Sequence, residues 1–235
     1  MSRPKSPGFS LSFLRLAPVA VLVSVLAACG HKAPPPAPPP VVVIPPQPRP
    51  PMGAPENMTI PELATDGTRH TVNSDLSTQQ TVWNFRSAFN VAALNCIDPK
   101  YAPILASYKH FLKVHDKALD KANAALTKDF KSSFGTAGMK TRESYQTQVY
   151  NYFAIPPVTA SFCDAAVLVA NDVMVLPAGQ LEGYAPQGLA RLEAPFKSFF
   201  DAYDQYRSDL IAWQARYGGI VVVAPGQGGG GFSTR

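Results

Sequence analysis

Between Leu189 and Tyr217 the large apolar residues stand at Leu189, Leu192, Phe196, Phe199, Tyr203, Tyr206, Leu210, Trp213 and Tyr217. The steps run three, four, three, four without a break. An α-helix sets that spacing along one stripe, whereas a strand alternates its side chains between two faces. The seam lasts for four heptads, far longer than chance periodicity in a loop. Nine such side chains left in water would make an apolar strip larger than soluble monomers tolerate. The expected cover is the chain's own helices, with a groove for a partner helix or hydrophobic ligand as the alternative. Pro195 interrupts the row near its start, so either the helix kinks there or a new one begins with Pro195 in its first turn. Gly218 and Gly219 end it.

Four further segments carry helical periodicity. The first spans about 78–96, with Val82, Phe85, Phe89, Ala92 and Cys96 on one face and Ser77 or Thr78 as its cap. The second spans about 101–131, its seam being Tyr101, Leu105, Tyr108, Leu112, His115, Leu119, Ala122 and Leu126, widened by Ile104 and Phe111. The third, about 141–154, carries Tyr145, Val149 and Tyr152 and stops before Pro156 and Pro157. The fourth, about 160–176, carries Phe162, Ala166, Val169, Val173 and Leu176 and ends at Pro177. It is apolar nearly all round, which predicts the most central position. The expected fold is all-α, an up-and-down bundle of about five helices over residues 72–218.

The three cysteines sharpen that topology. With Cys29 set apart for the reason given below, Cys96 and Cys163 remain. In an oxidising compartment two cysteines read as one disulfide, and otherwise as two buried thiols. A metal site would need two more ligands, and no His stands within a few residues of either. Short connections make successive helices antiparallel, which brings Cys96 and Cys163 to the same end of the bundle. Closing a loop of that length contributes about 4 kcal/mol in the chain-entropy model.

The ends of the chain differ in composition from the middle. Arg3, Lys5 and Arg15 precede and flank a short apolar run, Leu16 to Leu26, followed by small residues. This is the layout of an export signal, and it is too short and too interrupted by Arg15 and Pro18 for a membrane span. The segment Leu26-Ala27-Ala28-Cys29 resembles the lipobox of bacterial lipoproteins. The resemblance implies that residues 1–28 are removed, that Cys29 is acylated, and that membrane lipid is the first partner. Gly30 rather than Asp after that cysteine implies, by the same resemblance, the outer membrane facing the periplasm. The globular part has only a general likeness to proteobacterial envelope lipoproteins, which transfers no activity.

Residues 33–51, APPPAPPPVVVIPPQPRPP, have no route to a helix and are expected to be extended polyproline II. They read as a stiff spacer within a linker at 29–71, with a docking site for a proline-binding module as the alternative. Residues 52–71 read as an irregular lead-in. The end of the chain, 219–235, with four consecutive glycines, reads as a flexible tail.

Charge excludes one function class. Taking Arg3, Lys5 and Arg15 from the 21 basic residues leaves 18 against 16 acidic, and taking Lys32 and Arg49 leaves 16 against 16 over residues 52–235. A neutral domain is no electrostatic binder of nucleic acid.

Catalytic signatures are sparse. The sequence holds no HExxH, GxSxG or Walker-type loop, and residues 29–235 hold no SxxK. Glu143-Ser144 is similar to the acid/base dipeptide of lytic transglycosylases. The Gly135-Thr136-Ala137-Gly138-Met139 segment, however, precedes it where those enzymes place a comparable segment after it. A carboxylate in the first turn of a helix is the plainer reading of Glu143. His31 and His70 fall outside the helices. His110 and His115 are five apart, about 140° around a helix, so they share no ligand. His115 falls on the seam as a core histidine or a pH-responsive one. Lys109, Lys113, Lys117 and Lys121 form an i, i+4 row, either a patch for an acidic partner or a solvated face eased by nearby Asp residues.

The chain thus reads as a lipid-anchored envelope protein whose bundle is a non-enzymatic interaction or structural module, with no metal or cofactor. An envelope protein or cell-wall polymer is the expected further partner. The alternatives are a peptidoglycan-acting enzyme using Glu143 and a carrier enclosing a lipid or other hydrophobic ligand.

Overall fold

A computed structural model describes residues 43–219. Cys29, the apolar leader, most of the proline-rich run and the glycine tail lie outside the described residues. Within them the fold is all-α, as expected. The helices are α1 (Thr78–Asn95), α2 (Ala102–Val114), α3 (Asp116–Phe134), α4 (Gly138–Phe153), α5 (Thr159–Val175) and α6 (Leu181–Tyr217).

Six helices stand where about five were expected, because the second divides at His115. That residue leaves the helical region at φ −109°, ψ 18°. The next residue, Asp116, draws the Lys117 amide to its own carboxylate at 2.6 Å. A short acidic side chain that bonds the local backbone competes with helical pairing in this way. The seam survives the break, since Tyr108, Phe111, His115, Leu119, Ala122 and Leu126 are all buried. Leu105, placed on that seam by its spacing, is 44% exposed, and the buried face runs through Ile104 instead.

The start of α1 is fixed by a reciprocal capping box. The Gln80 amide donates to Ser77 Oγ, and the Ser77 amide donates to Gln80 Oε1. At the other end of the chain, α6 passes through Pro186 and Pro195 without ending. The seam therefore belongs to one helix of 37 residues.

The central helix is α1, not α5 as its all-round apolarity predicts. α1 touches each of the other five helices and buries eight of its residues, Val82 to Ala92. α5 packs on α1, α2 and α6 but leaves Leu168, Met174 and Val175 exposed. Apolar composition does not compel burial, because much of any protein surface is apolar.

Close helix approaches rest on two glycines. A Cβ at Gly188 would meet the Phe85 ring at 2.6 Å, so α6 seats on α1 there because the position is bare. A Cβ at Gly138 would meet the Phe130 carbonyl oxygen at 2.6 Å, and Gly135 turns the chain at φ +55°. The Gly135–Met139 segment is thus the α3–α4 corner.

Cys96, at the end of α1, is bonded to Cys163, in the first turn of α5, with the Cα atoms 5.6 Å apart. α5 and α6 run antiparallel, with Phe162 against Phe196 and Asp172 against Arg191. Two aromatic clusters fill the interior. Phe85, Phe89, Tyr108 and Phe111 meet edge to face between α1 and α2. Tyr152, Phe153, Phe162, Phe196 and Phe200 do so between α4, α5 and α6.

The packed unit begins at Ile44, well before the boundary at 72 that composition suggests. Ala54 and Ile60 are buried in the same core as the helices. The reason is polar anchoring to α6, described next.

Candidate functional site

The densest polar arrangement lies where the segment before α1 crosses α6. Glu193 is 4% exposed. Its Oε1 accepts from Thr71 Oγ1 at 2.7 Å, from Tyr152 OH at 3.2 Å and from Asn73 Nδ2 at 3.3 Å. Its Oε2 faces Lys197 Nζ at 2.8 Å, one helical turn on. Asn84, fully buried on α1, donates to Asn73 Oδ1 and accepts from Tyr145 OH at 2.8 Å. Tyr145, Asn84, Asn73, Glu193 and Tyr152 therefore form one connected chain across α4, α1, the lead-in and α6.

The environment shows in the tyrosines. Burial pushes the Tyr145 hydroxyl up to about 12, against a smaller opposing effect of Asn84. Burial raises Tyr152 further, and the Glu193 carboxylate beside it adds to the rise. Both stay protonated donors throughout the physiological range.

A second anchor lies about two to three turns further along α6. Buried Arg69 pairs with Asp201 at 2.9 Å and Asp204 at 2.7 Å, donates to the Pro61 carbonyl, and lies 5.8 Å from the Phe200 ring centre. Paired and hydrogen-bonded, a buried guanidinium is tolerable; alone it would not be.

Chemically, this arrangement is a clasp. Every Glu193 oxygen already has a partner from the chain itself, so the carboxylate is committed to holding the lead-in on α6. The signal for Glu193 and Asn84 was in the sequence. Glu193 is four after Leu189 and three before Phe196, and Asn84 is four before Ala88. Each is a polar residue on an apolar stripe.

The structure scatters the residues that the sequence singled out. Glu143 is exposed on the second turn of α4, which begins three residues earlier than expected. It lines none of the surface depressions described here. Lys109 and Lys113 lie on α2, and Lys117 and Lys121 on α3, all exposed. Lys121 is paired with Glu182 at 2.8 Å. His115 is 2% exposed against Phe111, with no hydrogen-bond partner on either ring nitrogen. Among the described residues, no three His, Cys, Asp or Glu side chains are grouped to hold a metal ion.

The depressions are open and shallow. One of about 250 Å³ lies between the start of α1 and the end of α3, lined by Ser77, Leu126, Phe130 and Phe134. Another of about 440 Å³ lies beside the disulfide, lined by Met52, Ile97, Pro156 and Pro157. Among the described residues, one helical segment, Pro156–Val175, is long and apolar enough to cross a membrane. Here Phe162, Ala166, Val169 and Val173 of that segment form part of the bundle core.

Fold and clasp define a class: an all-α, disulfide-stapled bundle with a strapped N-terminal lead-in. Compared with known families, curated proteins and solved structures, the chain matches none.

Proposed function

We propose that the chain is a lipid-anchored protein of the bacterial envelope, most compatible with the periplasmic face of the outer membrane. Its bundle acts there as a non-enzymatic interaction module. The observation that carries the reading is Leu26-Ala27-Ala28-Cys29 closing a short apolar leader, directly before a proline-rich run. The buried Cys96–Cys163 bridge supports export, because disulfides persist in oxidising compartments. The exposed Glu143 and the fully engaged Glu193 support a module over an enzyme. The aromatic core, filled by side chains, supports a module over a carrier. Lys109, Lys113 and Lys117 would form the face turned to an acidic envelope polymer or lipid headgroup.

Two measurements test this. Cells fed an alkyne fatty acid should label the native chain and not the Cys29→Ser variant, and that variant should leave the membrane fraction. A Cys29→Ser chain that still fractionates fully with membranes would refute the anchor. Purified native chain should release no soluble fragments from peptidoglycan. Release abolished by Glu143→Gln would replace the module by an enzyme.

A further inference from the structure

The last turns of α6 meet the end of the proline-rich run and the residues just after it. Four hydrogen bonds join them. Tyr203 OH donates to the Pro55 carbonyl at 2.6 Å and accepts from the Met58 amide at 2.9 Å. Arg207 donates to the Met58 carbonyl at 2.7 Å, and Trp213 Nε1 donates to the Pro45 carbonyl at 2.8 Å. Tyr203, Arg207, Leu210, Trp213 and Tyr217 step along one face of the helix. Leu210, Trp213 and Tyr217 on it are half-buried, and Leu210 packs against the bundle core.

The partner segment is built for such a face. Every residue from Ile44 to Pro50 either is proline or precedes one. Proline fixes its own φ and pushes the preceding residue into extended conformations. Pro50 stands at φ −56°, ψ 145°, in the polyproline II region. Pro45, Pro48 and Pro51 are spaced by three, one polyproline II turn, and Pro48 and Pro51 are half-buried. Prolines donate no hydrogen bond, so their share of the segment offers carbonyls and ring faces. An indole N–H on an aromatic surface answers both, and the stiff backbone has little entropy left to lose on docking.

We propose that Tyr203 to Tyr217 of α6 form a polyproline-binding face occupied by this chain's own Ile44–Met58 segment. The bundle is itself the proline-binding module for its tether. The docked segment is bonded to α6 as far back as Pro45. If Cys29 is the anchor, as the preceding reading has it, the free tether is at most 16 residues. A chain of that length reaches about 55 Å when fully extended. The docking itself does not depend on the anchor.

The test uses the full chain, with the two Trp indole N–H signals followed by NMR and Trp213 assigned through Trp213→Phe. Replacing Pro45, Pro46, Pro48 and Pro50 by Ser should shift the Trp213 signal and leave that of Trp83 in place. A synthetic peptide of residues 43–58 should restore it saturably. The native chain, its face filled, should bind that peptide at least tenfold more weakly. In the Ser-substituted chain, adding Trp213→Phe should weaken the peptide several-fold, read from the labelled peptide's own signals. An unmoved Trp213 signal, no saturable return, or equal binding to native and substituted chains would each overturn the proposal. Folding of every variant is checked by its melting temperature.

Discussion

The two halves of α6 carry the same pattern and meet different fates. From Leu189 to Tyr206 every seam residue is buried, with Phe196 against α4 and α5 and Tyr203 also bonded to the lead-in. From Leu210 to Tyr217 the same three-four step continues, yet each seam residue is half-exposed and Ile211 beside them is 67% exposed. Helices cover most of the first half, with the lead-in reaching the Tyr203 hydroxyl at its end, whereas on the second half Leu210 still touches the core and Trp213 is bonded to the extended segment at Pro45. Periodicity thus states which face of a helix is apolar. It does not state what covers that face, because a helix stripe and a proline-rich strap present equally usable apolar surface.

The sharpest way to break this comparison is Phe199→Ala. Phe199 has no exposed surface and packs between Phe200 and Tyr203. Truncating a fully buried phenylalanine costs about 3–5 kcal/mol. The whole bundle should lose that stability in urea titrations, and its melting point should fall equally at every protein concentration. The equivalent change beyond Tyr206, at Trp213, should loosen the strap and leave the global transition nearly in place. If both variants lowered the melting point alike, the two halves would form one cooperative core and the distinction would fail.

An intermediate effect is expected at the clasp. Glu193→Ala removes the acceptor shared by Thr71, Asn73 and Tyr152 and leaves Lys197 unpaired. Stranding buried donors costs about 1–3 kcal/mol each where water does not reach them. Lys197 is half exposed and can turn to solvent. A total near 2–3 kcal/mol is expected, accompanied by faster amide exchange at residues 71–76. Glu193→Gln keeps an acceptor oxygen and should lose less. Equal losses from the two variants would mean that the charge, not the hydrogen bonding, holds the lead-in.

The sequence disclosed the apolar stripes and little of the polar logic. The α6 seam, the α1 seam through Cys96 and the meeting of Cys96 with Cys163 follow from spacing alone, because helical geometry and short connections leave few alternatives. The break at His115 depends on a single carboxylate choosing its neighbour's amide, which no periodicity records. The reach of the packed unit back to Ile44 depends on Arg69, Thr71 and Asn73 finding partners more than 100 residues away on α6. Composition marks that segment as irregular, which it is, but irregular backbone can still be anchored. The central place of α1 was hidden by Asn84 and Ser87, which lower its apolarity while being buried. For the site, Glu193 was legible only as an acid misplaced on a stripe.

The smallest expected effect comes from His115, at the junction the sequence missed. Its ring is buried beside Phe111 with neither nitrogen bonded. Burial holds its pKa below the usual value of 6.5, and His110 nearby adds to the lowering. The sign follows from proton binding in the two states. Above about pH 7 the imidazole is neutral whether the chain is folded or not, and it gives no pH dependence. Below 6.5 the unfolded chain takes up the proton first, so the folded state loses stability as pH falls from 6.5 towards the lowered folded value. Urea midpoints of the native chain should therefore decline through this window. His115→Leu, apolar and of similar size, should flatten that decline without lowering stability at pH 8 by more than about 1.5 kcal/mol. An identical acid decline in both chains would assign it to groups other than His115, and the α2–α3 junction would then be insensitive to acid.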